Sequence, residues 1–473
     1  MSREIRADYS QTLMFPPCVE DWVPANHPAR FIREVVDAMD LKEMGFKTSE
    51  GDDGRPHYAG DMLLKVWLYG YCNRMRSTRG LEKACMENLS LIWLTGNNAP
   101  DHNTLWRFYR DNKKAIREVF KKSVRIGMEA NLVGMVLHAV DGTKMQSAAS
   151  GRTSLSKRQL EKALKKLEAG IEEIEKEVEK TRSDEGAAGW ALPQELSDAK
   201  ALREAVLAGL EVLREEGVKN LSVVDPQARV MKTQDGNRMS YNAQAVADDE
   251  SGLIVAADVV NEANDYHQLE PMLQEAKRTL GGLAARENLA DAGYDCPEQI
   301  AAATQAGYEI LLPMSAEKGD EFHTVNFMRD AESGEVTCPM GQTLRFERER
   351  QSKSGNCALR VYRCKHGARC ARAAECTKDK RGRGVELSPW HESTQAQLMK
   401  QRDPDKRCKL KRRSKIIEPV FAAVKDRCGF RRFTVHGLEN VKTQWSLVCA
   451  ACNLMKLYRQ WLAGRLKITP APA

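Results

Sequence analysis

The 473-residue sequence contains no run of 18 apolar residues, which excludes a membrane-spanning helix of ordinary length. Its first residues, MSREIRADYSQ, lack the apolar core of a secretory signal, so the chain is expected in the cytoplasm. Cysteines number 13, an odd count in a long chain with no secretory signal, and a disulfide framework is not expected. Aromatic residues are scarce at 6%, beside 42% hydrophobic and 29% charged residues. This is the composition of a soluble globular protein, and the length suggests two or three domains.

The formal net charge of +7 hides an asymmetry. Residues 341–473 hold 31 Lys and Arg against 11 Asp and Glu, whereas residues 1–340 hold 42 against 55. Positive charge concentrated in the C-terminal quarter suggests a polyanionic partner, most simply nucleic acid. Five cysteines fall between Cys338 and Cys376, a local density that suggests a metal rather than redox pairing.

Residues 1–130 show helical patterns broken by Pro, Gly and Asn-rich loops. Leu63, Leu64, Trp67, Leu68 and Tyr71 recur at helical spacing, as do Leu81, Ala84 and Cys85. In DHNTLWRFYRDNKK, Asn103 or Thr104 can cap a helix bearing Arg107, Arg110, Lys113 and Lys114. A helix-turn-helix-like unit that touches DNA through this helix is one reading, and an ordinary helical domain with a solvated basic face is the other. MVLHAVDGTK then predicts a strand over 135–140, buried on both faces and ended by a glycine turn. Leu160, Leu164, Leu167, Ile171, Ile174 and Val178 form a heptad seam, broken by GAAGWALP at 186–193. Leu202, Val206, Leu210 and Leu213 resume the stripe, so a helical hairpin is expected to be inserted after the first strand and to close within one chain.

Strands are predicted over 239–247 and 253–260, a helix over 267–280, a strand ending at Asp291, a short helix to Ala306, and a strand at YEILLPM. This order predicts an α/β mixed sheet. Residues 320–400 are polar, Cys-rich and poorly periodic, and read as a second insertion. Helical periodicity returns at 414–428 and 443–462.

Asp141 and Asp291 each follow a predicted buried strand and precede a glycine-containing turn. Acids there are costly unless they meet a cation or water, and ligands collect at strand ends of open α/β sheets. Glu418 lies on a predicted helix, with Lys415 and Lys425 expected on the same face. Together the three acids could hold a pair of magnesium ions for phosphoryl transfer. Taken singly, each is more simply read as capping a turn or solvating a helix.

Three segments tip that balance: VDGTK, LADAGYDC, and the stretch from SKIIEPVFAAVKDRCGFRRF to SLVCAACNLMKL. Together they resemble the catalytic domain of bacterial insertion-sequence transposases of the DDE type. The block PHYAGDMLLKVWLYGYCNRMRSTRGLEKACMENLSLIWLTGNNAPDHNTLWRFYR is similar to that family's helical DNA-binding region, and DPQARVMKTQDGNRMSYNAQAVADDESGLIVAADVVNEANDYHQL to its stretch between the two aspartates. The charged helical insertion and the Cys-containing insertion are similar to a branch of the family. The resemblance implies an RNase H-like mixed sheet with helices, with Asp141 on the first strand, Asp291 on the fourth and Glu418 on a helix after the insertion. It implies these three as metal-binding catalytic acids for two Mg2+ ions, with Mn2+ able to substitute. Of the family's Tyr, Arg, Glu, Lys signature only Glu418 and Lys425 carry over, since Ser414 stands where the arginine belongs and Arg413 beside it. Lys425 would contact DNA near the cleaved phosphate.

The expected domains are then a helical DNA-binding region over 1–130, a catalytic core over 131–154 and 218–318, a hairpin over 155–217, a Cys-rich insertion over 319–400, and a basic segment with catalytic helices over 401–473. Among neighbouring acids, Asp295 is expected to cap a helix. Asp265 and His267 could lie near the site but also read as helix caps, and Glu439 falls in a turn-like segment. The basic run from Arg402 to Lys415 includes Lys406, Arg407, Lys409, Lys411, Arg412 and Arg413, and suits a phosphate backbone. Cys338, Cys364, Cys370 and Cys376 are candidates for a structural Zn2+ site, with Cys357 and His366 in reserve, although no tight CxxC pair is among them. Cys449 and Cys452 do have that spacing, but within an apolar helix they read as buried thiols.

The function expected is therefore a DDE transposase that binds double-stranded DNA at element ends, cleaves it and transfers the strand, acting as a homodimer in the DNA complex. The rivals are a nuclease without strand transfer, a non-catalytic DNA-binding derivative of such an element, and a zinc-dependent regulator.

Overall fold

A computed structural model describes residues 18–47, 57–149, 154–185, 194–314, 321–330, 333–352 and 357–468. The chain divides into two compact units, one formed by Met1–Ser123, Cys428–Phe430 and Ser446–Ala473, the other by Val124–Arg427 and Arg431–Trp445. Among the described residues no helix is long and apolar enough to cross a membrane.

The first unit is helical: α1 (Pro28–Asp37), α2 (Gly60–Cys72), α3 (Thr78–Glu87), α4 (Leu89–Leu94), α5 (His102–Asp111) and the first part of α6 (Lys113–Glu129). The stripe Leu63, Leu64, Trp67, Leu68 and Tyr71 is buried, as are Leu81, Ala84 and Cys85. Ser77, Asn88 and Asp101 cap α3, α4 and α5. The cap of α5 is thus Asp101 rather than Asn103 or Thr104. Its carboxylate accepts from the N–H groups of both those residues, at 2.8 and 2.9 Å, and its charge suits the positive end of the helix dipole. Arg107 and Arg110 lie on the exposed face of α5, with Arg110 paired to the adjacent Asp111.

The second unit is built on a mixed sheet. In chain order it comprises β1 (Leu137–Gln146), β2 (Ser154–Ser156), α7 (Lys157–Glu185), α8 (Gln194–Glu215), β3 (Asn220–Ser222), β4 (Arg229–Thr233), β5 (Gly236–Asp248), β6 (Ile254–Val260), α9 (Leu269–Thr279), β7 (Glu287–Leu289), α10 (Pro297–Gln305) and β8 (Ile310–Leu311). The sheet order is β4-β5-β1-β7-β8, with β6 also paired to β5. β1 runs antiparallel to β5 and parallel to β7, which is parallel to β8. This mixed α/β architecture beside a helical region is consistent with an RNase H-like domain. One expectation is corrected: the chain does not turn at DGTK. β1 continues through it, with Gly142 opposite Gln244 and Lys144 opposite Asn242.

Between β2 and β3, which pair antiparallel, α7 and α8 pack as a hairpin around Leu160, Val206, Leu213 and Leu221. Lys200 reaches Glu175 across it at 2.6 Å. Leu202 is 46% exposed and stands off the expected stripe. The break at 186–193 lies outside the described residues.

The Cys-rich insertion is more regular than its sequence suggests. It forms an antiparallel sheet, β13-β12-β11-β10-β9, from β9 (Met328–Arg329), β10 (Val336–Thr337), β11 (Thr343–Gln351), β12 (Ala358–Cys364) and β13 (Gly384–Leu387), with α11 (Ala373–Cys376) before its last strand. Its core is small: Phe327, Val336, Leu344, Tyr362, Val385 and Leu387. The two longest strands, β11 and β12, are salt-bridged outside, Arg360 to Glu349 at 3.1 Å and Arg363 to Glu347 at 2.5 Å, so apolar alternation is diluted. Helices α12 (His391–Arg402), α13 (Pro404–Leu410) and α14 (Arg413–Ala422) follow, then α15 (Leu438–Leu462), which contributes its first residues to this unit and the rest to the other.

Candidate active site

The site begins with two adjacent parallel strands. Asp291 lies two residues beyond β7 and caps the short turn Ala292–Tyr294, accepting the Gly293 N–H at 2.8 Å. Asp141 lies within the neighbouring β1, not at its end, because the strand continues past Gly142. One of its oxygens accepts the Gly142 N–H at 2.8 Å, and the other pairs with the Arg413 guanidinium at 2.8 Å. Burial raises the Asp141 carboxyl above its ordinary range; Arg413 opposes this and the nearby charge of Asp291 adds to it. The site thus contains a half-buried pair of like charges with a tethered cation on one of them.

Lys425 sits in a π-helical turn, Ala423–Arg427, beyond the end of α14 rather than on the helix with Glu418. Burial lowers its ammonium below the ordinary lysine range, Arg431 adds to that, and the Asp141 charge opposes it. Lys425 is therefore within electrostatic reach of Asp141.

Glu418 is not gathered with the other two acids. The buried residues of α14 are Ile416, Ile417, Val420 and Phe421, and the helix packs against β1 and β5, leaving Glu418 exposed. Arg413, at the start of the same helix, is what meets Asp141. Among the described residues no group of three or more His, Cys, Asp or Glu stands in position to hold a metal ion. Asp141 and Asp291 offer hard oxygen donors, which fit a divalent ion completed by waters and phosphate oxygens.

The basic run is corrected in part, because several of its members are engaged by acids of the sheet unit. Lys406 pairs with Glu309 at 3.2 Å, Lys409 with Glu287 at 2.5 Å, and Arg412 with Asp249. Lys411 and Lys415 are exposed.

Three readings of neighbouring residues also change. Asp295 does not cap α10, whose N-cap position is Cys296. His267 does not cap α9, which starts at Leu269; it is exposed and bonded to Glu262 at 3.2 Å. Asp265 accepts from Lys144, Asn242 and Gln244 beside Gly142, rather than from a helix N-terminus. A signal for it was present in the sequence: Asn242 and Gln244 alternate within an apolar strand, and buried amides demand partners. Glu439 lies in the first turn of α15.

Cys338, Cys364, Cys370 and Cys376 line one small cavity together with Phe322 and Phe327. Burial raises the Cys376 thiol; Arg383 opposes this, and the other three cysteines add to it. The Gln342 N–H donates to the Cys338 sulfur at 3.4 Å. Cys357 and His366 are not among the lining residues. Cys449 and Cys452 are buried in α15, with Cys452 3.3 Å from Cys428.

Two family models match the chain: "Transposase DDE domain" over residues 337–458, and "Transposase domain (DUF772)" over residues 17–111. Glu418 and Lys425 fall in the first match, Arg107 and Arg110 in the second, and Asp141 and Asp291 between them. No curated protein matches the chain.

Proposed function

Starting from the insertion-sequence DDE transposase that the two family matches support, we propose that the chain binds the double-stranded ends of its own mobile element, cuts them and joins them to target DNA. The observation that carries this reading is the proximity of Asp141, on β1, to Asp291, just beyond the adjacent parallel strand β7, a half-buried like-charge pair that a cation would relieve. When bound, Mg2+ or Mn2+, as a pair of ions, supplies activation of the attacking oxygen and stabilisation of the leaving oxygen in phosphoryl transfer. Asp141 and Asp291 would hold the ions, with Glu418 as the third acid. Glu418 faces solvent on α14, so it would join the set only after a change in the position of its side chain or helix.

The chain's own residues then have distinct tasks. Lys425, close to Asp141, neutralises the phosphate to be cut. Arg107 and Arg110 on α5, with Lys411 and Lys415, contact the phosphate backbone and supply affinity rather than base readout. Arg413 and Arg412 join them once freed from Asp141 and Asp249. Water attacks the terminal phosphodiester and leaves a 3' hydroxyl, which attacks a target phosphodiester in a second displacement. Pairing two ends calls for a dimer in the DNA complex. A structural Zn2+ held by Cys338, Cys364, Cys370 and Cys376 would brace the insertion.

The test uses a plasmid carrying the element with its flanking sequence. Asp141→Asn, Asp291→Asn and Glu418→Gln should each reduce cleavage to background and leave DNA binding intact; near-normal cleavage by any one removes that residue from the set. The exposure of Glu418 favours one second reading, a DNA-binding derivative without activity. It predicts that the wild-type chain binds the ends and does not cut them.

A further inference from the structure

Successive residues of a strand face opposite sides of a sheet, so Asp141 and its neighbour Gly142 belong to different faces. On the Gly142 side is a polar network that the proposed reaction does not use. Asp265 is its centre. Its carboxylate accepts from Lys144 Nζ at 2.9 Å, from Asn242 Nδ2 at 2.7 Å and from Gln244 Nε2 at 2.6 Å. Asn242 and Gln244 are fully buried, and Asp265 and Lys144 are half-buried, with side chains 17% and 18% exposed.

Side-chain bonds lead out of the network at Asn242, which also donates to the Asn264 carbonyl at 3.2 Å, and at Gln244. Gln244 donates through its nitrogen to Asp265 and to Asn242 Oδ1, which fixes the orientation of its amide and leaves its oxygen as an acceptor. That oxygen takes the hydroxyl hydrogen of Tyr294. Tyr294 is fully buried and is the last residue of the turn that Asp291 caps. The backbone confirms how closely the parts fit. A Cβ on Gly142 would come within 2.2 Å of Gln244 Nε2 and 2.4 Å of Asp265 Oδ1, and a Cβ on Gly293 within 3.6 Å of Asp265 Oδ2. Gly142 is therefore the residue whose missing side chain makes room for the network.

We propose that Asp265 is a positioning residue which, through Gln244 and the Tyr294 hydroxyl, fixes the turn carrying Asp291 and so sets that carboxylate beside Asp141, without itself binding the ion. The inference rests on the reading of Asp141 and Asp291 as ion-binding acids. Lys144 balances the Asp265 charge within the network, so Asp265 needs no further cation. Outer hydrogen-bond partners of this type typically change metal affinity by about 10–100-fold when removed.

The test is titration of the full chain with Mn2+, free ion being read by electron paramagnetic resonance, alongside melting curves. Tyr294→Phe keeps the buried ring and removes only the hydroxyl. It should weaken Mn2+ binding by about 10-fold or more while the chain still melts cooperatively, a few degrees lower for the buried Gln244 oxygen left unpaired. Asp265→Asn should weaken it to a similar degree, and Asp291→Asn should abolish it. Wild-type affinity in Tyr294→Phe, with binding lost in Asp291→Asn, would overturn the inference and leave the site reading intact. Loss of binding in Asp265→Asn as complete as in Asp291→Asn, with Tyr294→Phe normal, would also overturn it, making Asp265 a ligand. Wild-type binding in both Asp141→Asn and Asp291→Asn would overturn the site reading and the inference with it.

Discussion

Asp141 is a carboxylate in surroundings that disfavour its ionised form, and this gives it a stability signature separate from its chemistry. With its carboxyl raised above the unfolded-state value, the native state holds the proton more tightly than the unfolded one. The associated stabilisation is present in acid and is lost as the pH rises through the native value. Asp141→Asn removes that ionisation, so it should melt no lower than wild type at pH 7 while cleavage falls to background; a drop of several degrees would contradict the electrostatic account. His138 carries the opposite sign. It is buried on β1, 3.8 Å from Asp248, and burial depresses it well below its ordinary 6.5. Its contribution is therefore present above about pH 6.5 and is lost as the pH falls below that, because the unfolded state takes up the proton first. His138→Gln should flatten the melting temperature between pH 6.5 and 5 relative to wild type. Asp141 and Asp291 were legible in the sequence as acids that each follow an apolar run, and the fold brings them near each other; their role as ion-binding acids is a proposal. Asp265 was legible only in part: the amides of Asn242 and Gln244 call for a partner, but its identity emerges only when β1 and β5 fold together.

Elements differ in how openly the sequence declares them. The hairpin of α7 and α8 is announced by its seam, since a long exposed helix pair must repeat its apolar residues to pack at all. The small sheet of the Cys-rich insertion is hidden, because its strands bury few side chains and spend the rest on cross-strand ion pairs. For the hairpin, Leu213→Ala should destabilise by about 2–5 kcal/mol, whereas Leu202→Ala, at 46% exposure, should stay within about 0.5 kcal/mol of wild type; equal effects in thermal denaturation would refute the packing. For the insertion, whose four cysteines line one cavity without standing as a ligand set, the proposed Zn2+ would have to draw them together, and purified protein should then carry close to one zinc per chain by atomic emission. Cys364→Ser or Cys370→Ser should lose it and unfold the insertion at lower temperature. Absence of zinc together with an unchanged melting curve would leave the cavity as plain packing. Glu418 shows the limit of reading by element: its helix was legible, but which face meets the sheet depends on Ile416, Ile417 and Val420, and they turn the acid outward.

For the whole molecule, the excess of positive charge beyond residue 340 divides into two populations that composition alone cannot separate. Lys406, Lys409 and Arg412 are tied to acids of the sheet unit, whereas Lys411 and Lys415 face solvent. Neutralising Lys411 or Lys415 should reduce the slope of log affinity for DNA against log salt by about 1 each. Neutralising Lys409 should instead lower the melting temperature and leave the slope nearly unchanged, a contrast that fluorescence anisotropy and calorimetry would read. The bond between Arg413 and Asp141 carries a further consequence. The guanidinium is anchored on the helix that also bears Glu418, so the ion proposed for Asp141 would have to exchange with a cation already there. Uptake of the proposed ion and release of the Arg413 side chain would then be two sides of one equilibrium.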